Sequence, residues 1–238
     1  MRLTTLALGL SALAVATVAN AAPNIVQNGG FETTTNSLGQ LGYNTDATGW
    51  SVPRGGYAFL FTPGSADTTG ANGQYGNLQI YGPGNGSANG LTASSPFGGN
   101  YVALDGAFQV QPIQQTLATI IGHTYNITFA FAGAQQFNFN GPTTEAFNVC
   151  LGTQCQETSV LNNASHGFTG WQTASFNFTA QTTSDILSFL AIGTPNGQPP
   201  FSLLDGVVGT DITAVPEAAT LGLLGLGLGL AAVARRRK

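Results

Sequence analysis

The sequence predicts an all-β fold: an antiparallel β-sandwich of the jelly-roll kind, flanked by an N-terminal signal-peptide helix and a single C-terminal transmembrane helix. Three observations predict it. Short runs of alternating large and small or polar residues recur through the middle of the 238-residue chain, and a period of two puts one set of side chains on one sheet face. Clusters of Gly, Pro, Asn and Ser separate these runs, as turns separate strands. Basic residues gather at the two ends, beside uncharged apolar stretches.

Residues 1–22 read as the entry signal. Arg2 is the positive n-region, 3–18 is apolar with small polar interruptions, and Ala19-Asn20-Ala21 forms an A-x-A cleavage site. Cleavage after Ala21 or Ala22 frees the N-terminus. No cysteine stands at that junction, which argues against a lipoprotein. The expected organisation is a signal peptide at 1–22, an extracytoplasmic β-domain at 23–214 and a membrane-directed tail at 215–238.

Charge sharpens this division. Arg2 and four tail cations are five of the six basic residues, and Arg54 is the only one between them. All ten acidic residues lie between Ala22 and Glu217, so one arginine against ten carboxylates leaves that exported part near −9. Such a surface excludes nucleic acid and anionic lipid as partners, since both need Lys and Arg. It suits neutral ligands or cations such as calcium. Charged residues are only 7% of the chain, yet Phe and Tyr recur at strand spacing, which separates the chain from disordered segments.

The clearest strand is 124–132, where Tyr125, Ile127, Phe129 and Phe131 alternate with Thr124, Asn126, Thr128 and Ala130. Further strands are expected at 101–104, 108–113, 147–151, 174–178, 186–192 and 203–208. No amphipathic helix interrupts them. Residues 39–99 are expected to hold one or two strands carrying long loops, and long loops on a rigid scaffold are where binding sites tend to sit.

Few residues invite chemistry. Cys150 and Cys155 are the only cysteines; in an exported chain a close pair reads as a disulfide across a hairpin or tight loop, with free thiols or a redox pair as alternatives. His123 and His166 read as structural. No nucleophile-elbow motif accompanies a Ser-His-Asp set, and no motif sets two carboxylates for glycoside cleavage, so no catalytic residue is assigned and a non-enzymatic protein is expected. Trp50 and Trp171 invite a sugar-stacking reading with core filling as the alternative, and Trp171 is expected to fill the core because Phe176 and Phe178 follow it at strand spacing. Tyr57, Tyr75 and Tyr81 are the candidate ligand residues, because flat aromatic faces beside amides suit neutral glycans; core filling is the alternative.

The tail reads Val215, Pro216, Glu217, Ala218, then an uncharged apolar run over 218–234, then Arg235, Arg236, Arg237 and Lys238. A 17-residue helix is about 25 Å long, the short end of a bilayer span. The four cations favour a cytoplasmic C-terminus. Pro-Glu, a short glycine-rich apolar helix and a basic end, in that order, resemble the C-terminal sorting signal called PEP-CTERM. Ala218 departs from the family's pattern, which usually has a second proline there. The resemblance implies recognition by an exosortase at Pro216 and Glu217, with the helix and cations holding the chain in the inner membrane until then.

The middle domain resembles the galactose-binding-like jelly rolls found in many carbohydrate-binding modules. The segments that carry this are Asn24-Ile25-Val26-Gln27-Asn28-Gly29-Gly30-Phe31-Glu32, Gly49-Trp50, Tyr101-Val102-Ala103-Leu104-Asp105-Gly106, Gly122-His123-Thr124-Tyr125, Trp171-Gln172-Thr173-Ala174 and Leu203-Leu204-Asp205-Gly206. The resemblance implies a structural calcium held by Glu32 and Asp205, stapling the first strand to the last; no other cofactor is expected. The function expected is that of an exosortase-sorted surface or extracellular-matrix protein, non-enzymatic, that binds neutral carbohydrate or exopolysaccharide. The alternatives are a structural or adhesive matrix protein with no small ligand, and a glycan-active hydrolase. The expected partners are the export machinery, signal peptidase, exosortase and exopolysaccharide. The expected location is the inner membrane in transit, then the cell surface or matrix.

Overall fold

Alternation is carried furthest in β7, Thr124–Gln135, where Tyr125, Ile127, Phe129 and Phe131 all enter one core. The computed structural model describes residues 22–53, 56–87, 91 and 94–213. The expected signal peptide at 1–22 lies outside the described residues except for Ala22, and the sorting residues Val215 to Ala218, the apolar run 218–234, the basic end and Arg54 lie outside them as well. Ala22–Thr213 forms one unit. Among the described residues no helix is long and apolar enough to cross a membrane, and the only helical element is a 3-10 turn at Pro83–Asn85.

Two antiparallel sheets form the sandwich. The larger has six strands, in the order β1 (Gly39–Gln40), β2 (Ala58–Phe61), β5 (Tyr101–Asp105), β13 (Pro200–Asp211), β7 and β11 (Gln172–Thr179). The smaller runs β10 (Leu161–Asn163), β8 (Thr143–Leu151), β12 (Ser184–Thr194), β6 (Ile113–Ala118), with β9 (Gln154–Glu157) also paired to β8. A separate short ladder joins β3 (Ala71–Gly73) to β4 (Gly76–Leu78). The all-β sandwich expected from the sequence is the fold observed.

The core between the sheets takes Leu60, Val102, Leu104, Phe129, Phe147, Phe189 and Leu204, with Phe31 and Trp50 closing one end. A second core lies on the reverse face of the six-stranded sheet. It takes the alternate residues of the same strands, Phe59, Phe61, Tyr101, Ala103, Ala132, Phe201 and Leu203. Ala66, Ala71, Leu78, Ile80 and Leu91 cover them. Strands β2 and β5, with the adjoining stretches of β13 and β7, are therefore buried on both faces.

Three expectations are corrected by this arrangement. Among their described residues, 39–99 hold four short strands rather than one or two, and fold down as the cover of the second core. Residues 108–112 are not a strand: Asp105 Oδ1 accepts the N–H groups of Ala107 and Phe108 at 2.7 and 3.0 Å, and Gln109 has φ +46°. The strand begins only at Ile113, after Pro112, which has no N–H to give. Trp171 is half-buried against the second core, edge-on to Tyr101 at 5.7 Å, whereas Phe178 belongs to the first, with Phe176 packed against it.

Smaller features tie the frame. Cys150 and Cys155 oppose each other in the β8–β9 hairpin and form a disulfide. His123 Nδ1 lies 2.6 Å from Asp211 Oδ2, joining the start of β7 to the end of β13. Gly206, at φ +60°, allows the bulge where the β13–β7 register shifts between Asp205 and Val208.

Candidate functional site

A cleft of about 290 Å³ opens at one end of the six-stranded sheet, beside the second core. Each wall comes from a strand end or the loop after it. Tyr57 immediately precedes β2, Tyr75 sits in the β3–β4 turn, Asp105 ends β5, and Phe108 lies in the loop that Asp105 turns. Gln136 and Phe139 follow β7, and Asn196 and Pro199 come from the β12–β13 connection.

Three rings organise it. Tyr57 is 8% exposed; its ring is edge-on to Phe59 at 4.6 Å and to Phe108 at 5.4 Å, and 6.0 Å from Tyr75. Tyr75 and Phe108 meet edge to face at 5.8 Å. They form the open rim, at 61% and 44% exposure. An amide chain steadies Tyr75: Gln109 Nε2 donates to its hydroxyl at 2.7 Å, and Gln74 Nε2 donates to Gln109 Oε1 at 2.8 Å.

Asp105 is the carboxylate among the lining residues. Its Oδ1 is used by the turn, while Oδ2 has no hydrogen-bond partner. Burial pushes its pKa up to about 6, against the pull of the Ala107 and Phe108 N–H groups. The Tyr57 hydroxyl is pushed up as well, first by burial and then by the charge of Asp105. Aromatic faces, amides and one acceptor oxygen suit an uncharged polyol. Among the described lining residues there is no second carboxylate to complete a glycosidase pair.

Of the three candidate tyrosines, Tyr57 and Tyr75 come together here. Tyr81 stands apart: it is buried and stacks on His166 at 4.2 Å. Residue patterns missed Asp105, Phe108, Phe139, Gln136 and Asn196. Asp105-Gly106 ending an apolar run was the one local signal, since an Asp there can turn the chain through its own side chain.

Glu32 and Asp205 also come close. A Cβ on Gly30 would lie 3.7 Å from Asp205 Oδ1 and 3.8 Å from Glu32 Oε1. Asp205 is fully buried; Gly206 N–H donates to Oδ1 at 2.6 Å and the Ser95 hydroxyl contacts Oδ2. Glu32 Oε1 accepts the Asn100 N–H at 2.8 Å. Burial pushes Asp205 up to about 6 despite its hydrogen bonds to Ser95 and Gly206, and the charge of Glu32 adds to the rise. Two converging carboxylates and a hydroxyl are an oxygen donor set that fits a hard cation. Among the described residues no three Asp, Glu, His or Cys side chains cluster as metal ligands, so the remaining ligands would be neutral oxygens.

A third buried acid lies elsewhere, on the inward face of β8. Glu145 is 1% exposed, and burial pushes it up to about 8, against hydrogen bonds to Thr143 and Asn163. Gly133 makes room for it, since a Cβ there would lie 2.4 Å from Glu145 Oε2. Both Glu145 Oε2 and Asn163 Oδ1 lack a hydrogen-bond partner.

Comparison with known proteins follows the same division of the chain. Residues 81–207 match the family described as a protein of unknown function, DUF642. Residues 214–238 match the PEP-CTERM protein-sorting motif, so the chain carries the sorting signal of exported, exosortase-processed proteins. No curated protein matches the sequence. Among solved structures, TmCBM61 in complex with β-1,4-galactotriose is similar at 14% identity and TM-score 0.40, over 80% of this chain and 99% of that one. The CBM22-1 xylan-binding domain from Paenibacillus barcinonensis Xyn10C is similar at 11% identity and TM-score 0.39, over 83% and 100%. The MgGH51 α-L-arabinofuranosidase is similar at 9% identity and TM-score 0.39, over 82% of this chain but 27% of that one.

Proposed function

The chain belongs to the DUF642 family, and with that as premise we propose that its exported β-domain is a non-enzymatic surface or matrix module that binds neutral carbohydrate in the Tyr57–Tyr75–Phe108 cleft. One observation carries the reading: three aromatic rings surround a concave opening whose polar groups are amides, hydroxyls and one acid. A sugar ring presents an apolar C–H face to such rings and hydroxyls to such amides. The exported part carries one arginine against ten acids, which favours an uncharged glycan over an anionic one.

The sorting signal supports an exported location for this module. In the proposed sequence of events, signal peptidase cuts after Ala21 or Ala22. The apolar run 218–234 then halts the chain in the inner membrane, with Arg235, Arg236, Arg237 and Lys238 inside, and exosortase acts at Pro216 and Glu217. The domain then stays at the cell surface or in exopolysaccharide. Calcium held by Glu32 and Asp205 would tie the N-terminal segment to β13, a structural contribution remote from any chemistry in the cleft.

The test is binding of the purified full chain, in a zwitterionic non-glycosidic detergent, to neutral oligosaccharides of xylan, galactan and glucan type. Saturable binding to at least one, lost in Phe108→Ala, is the expected outcome. No saturable binding to any of them would leave a purely structural or adhesive role, and turnover of a glycoside would replace binding by hydrolysis.

A further inference from the structure

The buried acid of the cleft is unlike a structural acid of the same domain. Asp185, 4% exposed, takes the hydroxyls of Thr119 and Thr182 and the N–H groups of Gln181 and Thr182, so that both of its oxygens are occupied. Asp105, 2% exposed, spends Oδ1 on the Ala107 and Phe108 N–H groups and leaves Oδ2 with nothing. A buried acceptor without a donor forfeits its hydration and gains nothing in return. On the wall of a cleft, such an oxygen is an acceptor held ready for a ligand. The oxygen is shut off from water, but the two rings over the opening, Tyr75 and Phe108, are exposed and touch only through one edge-to-face contact. For a ligand to reach it, that exposed rim has to yield.

We propose that Asp105 is the specificity-determining residue of the cleft: its Oδ2 accepts a hydrogen bond from a hydroxyl of an uncharged sugar, and its charge rejects a uronate at the same point. This rests on the glycan-binding reading above. The rejection follows from the lining, which among the described residues holds no cation to offset a second carboxylate, and like charges at short range inside a partly dry cleft repel strongly. The acceptance follows from the asymmetry of penalties: a sugar lacking that hydroxyl leaves the oxygen as unsatisfied as before.

The substitution Asp105→Asn separates this role from a structural one. Asparagine keeps the Oδ1 that turns the chain at Ala107 and Phe108, removes the charge and puts a donor where the free acceptor stood. Calorimetric binding is measured for the wild-type full chain, Asp105→Asn and Phe108→Ala, each against neutral oligosaccharides and their uronate counterparts, with the thermal midpoint of each protein at pH 7. The expected result is wild-type binding of a neutral oligosaccharide and none of the uronate. Asp105→Asn is expected to lose about tenfold in neutral affinity, the order of one hydrogen bond to a charged group, while its thermal midpoint stays level or rises. Wild-type binding of uronate as tight as of its neutral counterpart overturns the proposal without any variant. Unchanged neutral affinity in Asp105→Asn, with loss in Phe108→Ala, overturns the role of Asp105 and leaves the cleft as the binding site. A lower midpoint in Asp105→Asn, with affinity lost in step, makes Asp105 a turn residue only. Wild-type binding of nothing removes the reading on which the proposal stands.

Discussion

Between the two sheets, Phe129, Phe147 and Phe189 are gripped from both sides by continuous strand ladders, with rings meeting at 4.9 and 6.0 Å. On the reverse face of the larger sheet, Phe59, Phe61, Tyr101 and Phe201 are just as dry but are gripped by a ladder on one side only. Their other wall is residues 62–100, whose described residues hold two three-residue strands, one 3-10 turn and several hydrogen-bonded turns. Equal burial thus rests on unequal backbone support. Loop-built walls open more readily than ladder-built ones, and the aromatic cleft lies at the margin of the loop-built core. A binding site placed there can adjust its rim without loosening the sandwich.

The sharpest way to break this comparison is a matched pair of truncations. Phe189→Ala removes a ring that touches Trp50, Phe129 and Phe147 and is expected to cost about 3–5 kcal/mol, read as a lower denaturation midpoint across the whole domain. Phe61→Ala empties a site that the loop wall can collapse into, and is expected to cost less, about 2–3 kcal/mol at the low end of such losses. Hydrogen exchange should then rise over 62–100 first, leaving β7, β8 and β12 protected. Equal global losses with uniform exchange would show that the two cores open as one.

The same inequality explains what could be read without coordinates. β7 was legible because its side chains alternate large with small or polar, and β8, β11 and β12 were legible in part for the same reason. β2 reads Ala-Phe-Leu-Phe and β5 reads Tyr-Val-Ala-Leu-Asp, apolar on both faces, so period two carries no signal about which face meets which core. The cover over 62–100 has no period because its backbone turns every few residues. Tyr57 and Tyr75 could be suspected as exposed-capable rings. Phe108 could not, because its place on the rim depends on the Asp105 side chain breaking the strand expected at 108–113. Asp105 itself shows no spacing that distinguishes it from a strand-end acid; only its unpartnered oxygen does.

Acid titration should divide the two cores next. Burial raises Glu145 in the inner core from 4.5 to about 8, and raises Asp105 and Asp205 on the reverse face from 3.8 to about 6. A folded-state pKa above the unfolded one means that the folded protein binds more protons. Stability is therefore full below about pH 4 and is lost as pH rises, through about 6 for the two aspartates and about 8 for Glu145. The total change is expected to be on the order of a few kcal/mol, read as a thermal midpoint falling from pH 4 to pH 8. Glu145→Gln should flatten the upper half of that fall. Calcium added after chelation should flatten the lower half through Asp205, if the ion binds there. A midpoint that rises over this range would contradict the neutral state assigned to Glu145.

The smallest effect on stability should come from Tyr75→Ala. Tyr75 is 61% exposed and its hydroxyl takes one bond, from Gln109 Nε2 at 2.7 Å. Exposed side chains away from caps, networks and strained backbone usually change stability within about 0.5 kcal/mol, and the wall beneath this ring is Tyr57, which keeps its contacts to Phe59 and Phe201. Removing the ring takes away half of the rim while leaving Asp105 and Phe108 in place. The expected outcome is an unchanged thermal midpoint with neutral-glycan affinity lowered about tenfold, since one stacking ring is worth roughly 1–2 kcal/mol in ligand contacts. The two readouts should separate because the ladder-built sandwich holds the cleft and the rim only finishes it. If the midpoint falls together with affinity, the β3–β4 turn is a structural brace of the second core, and the loop-built wall is stiffer than its sparse ladder implies.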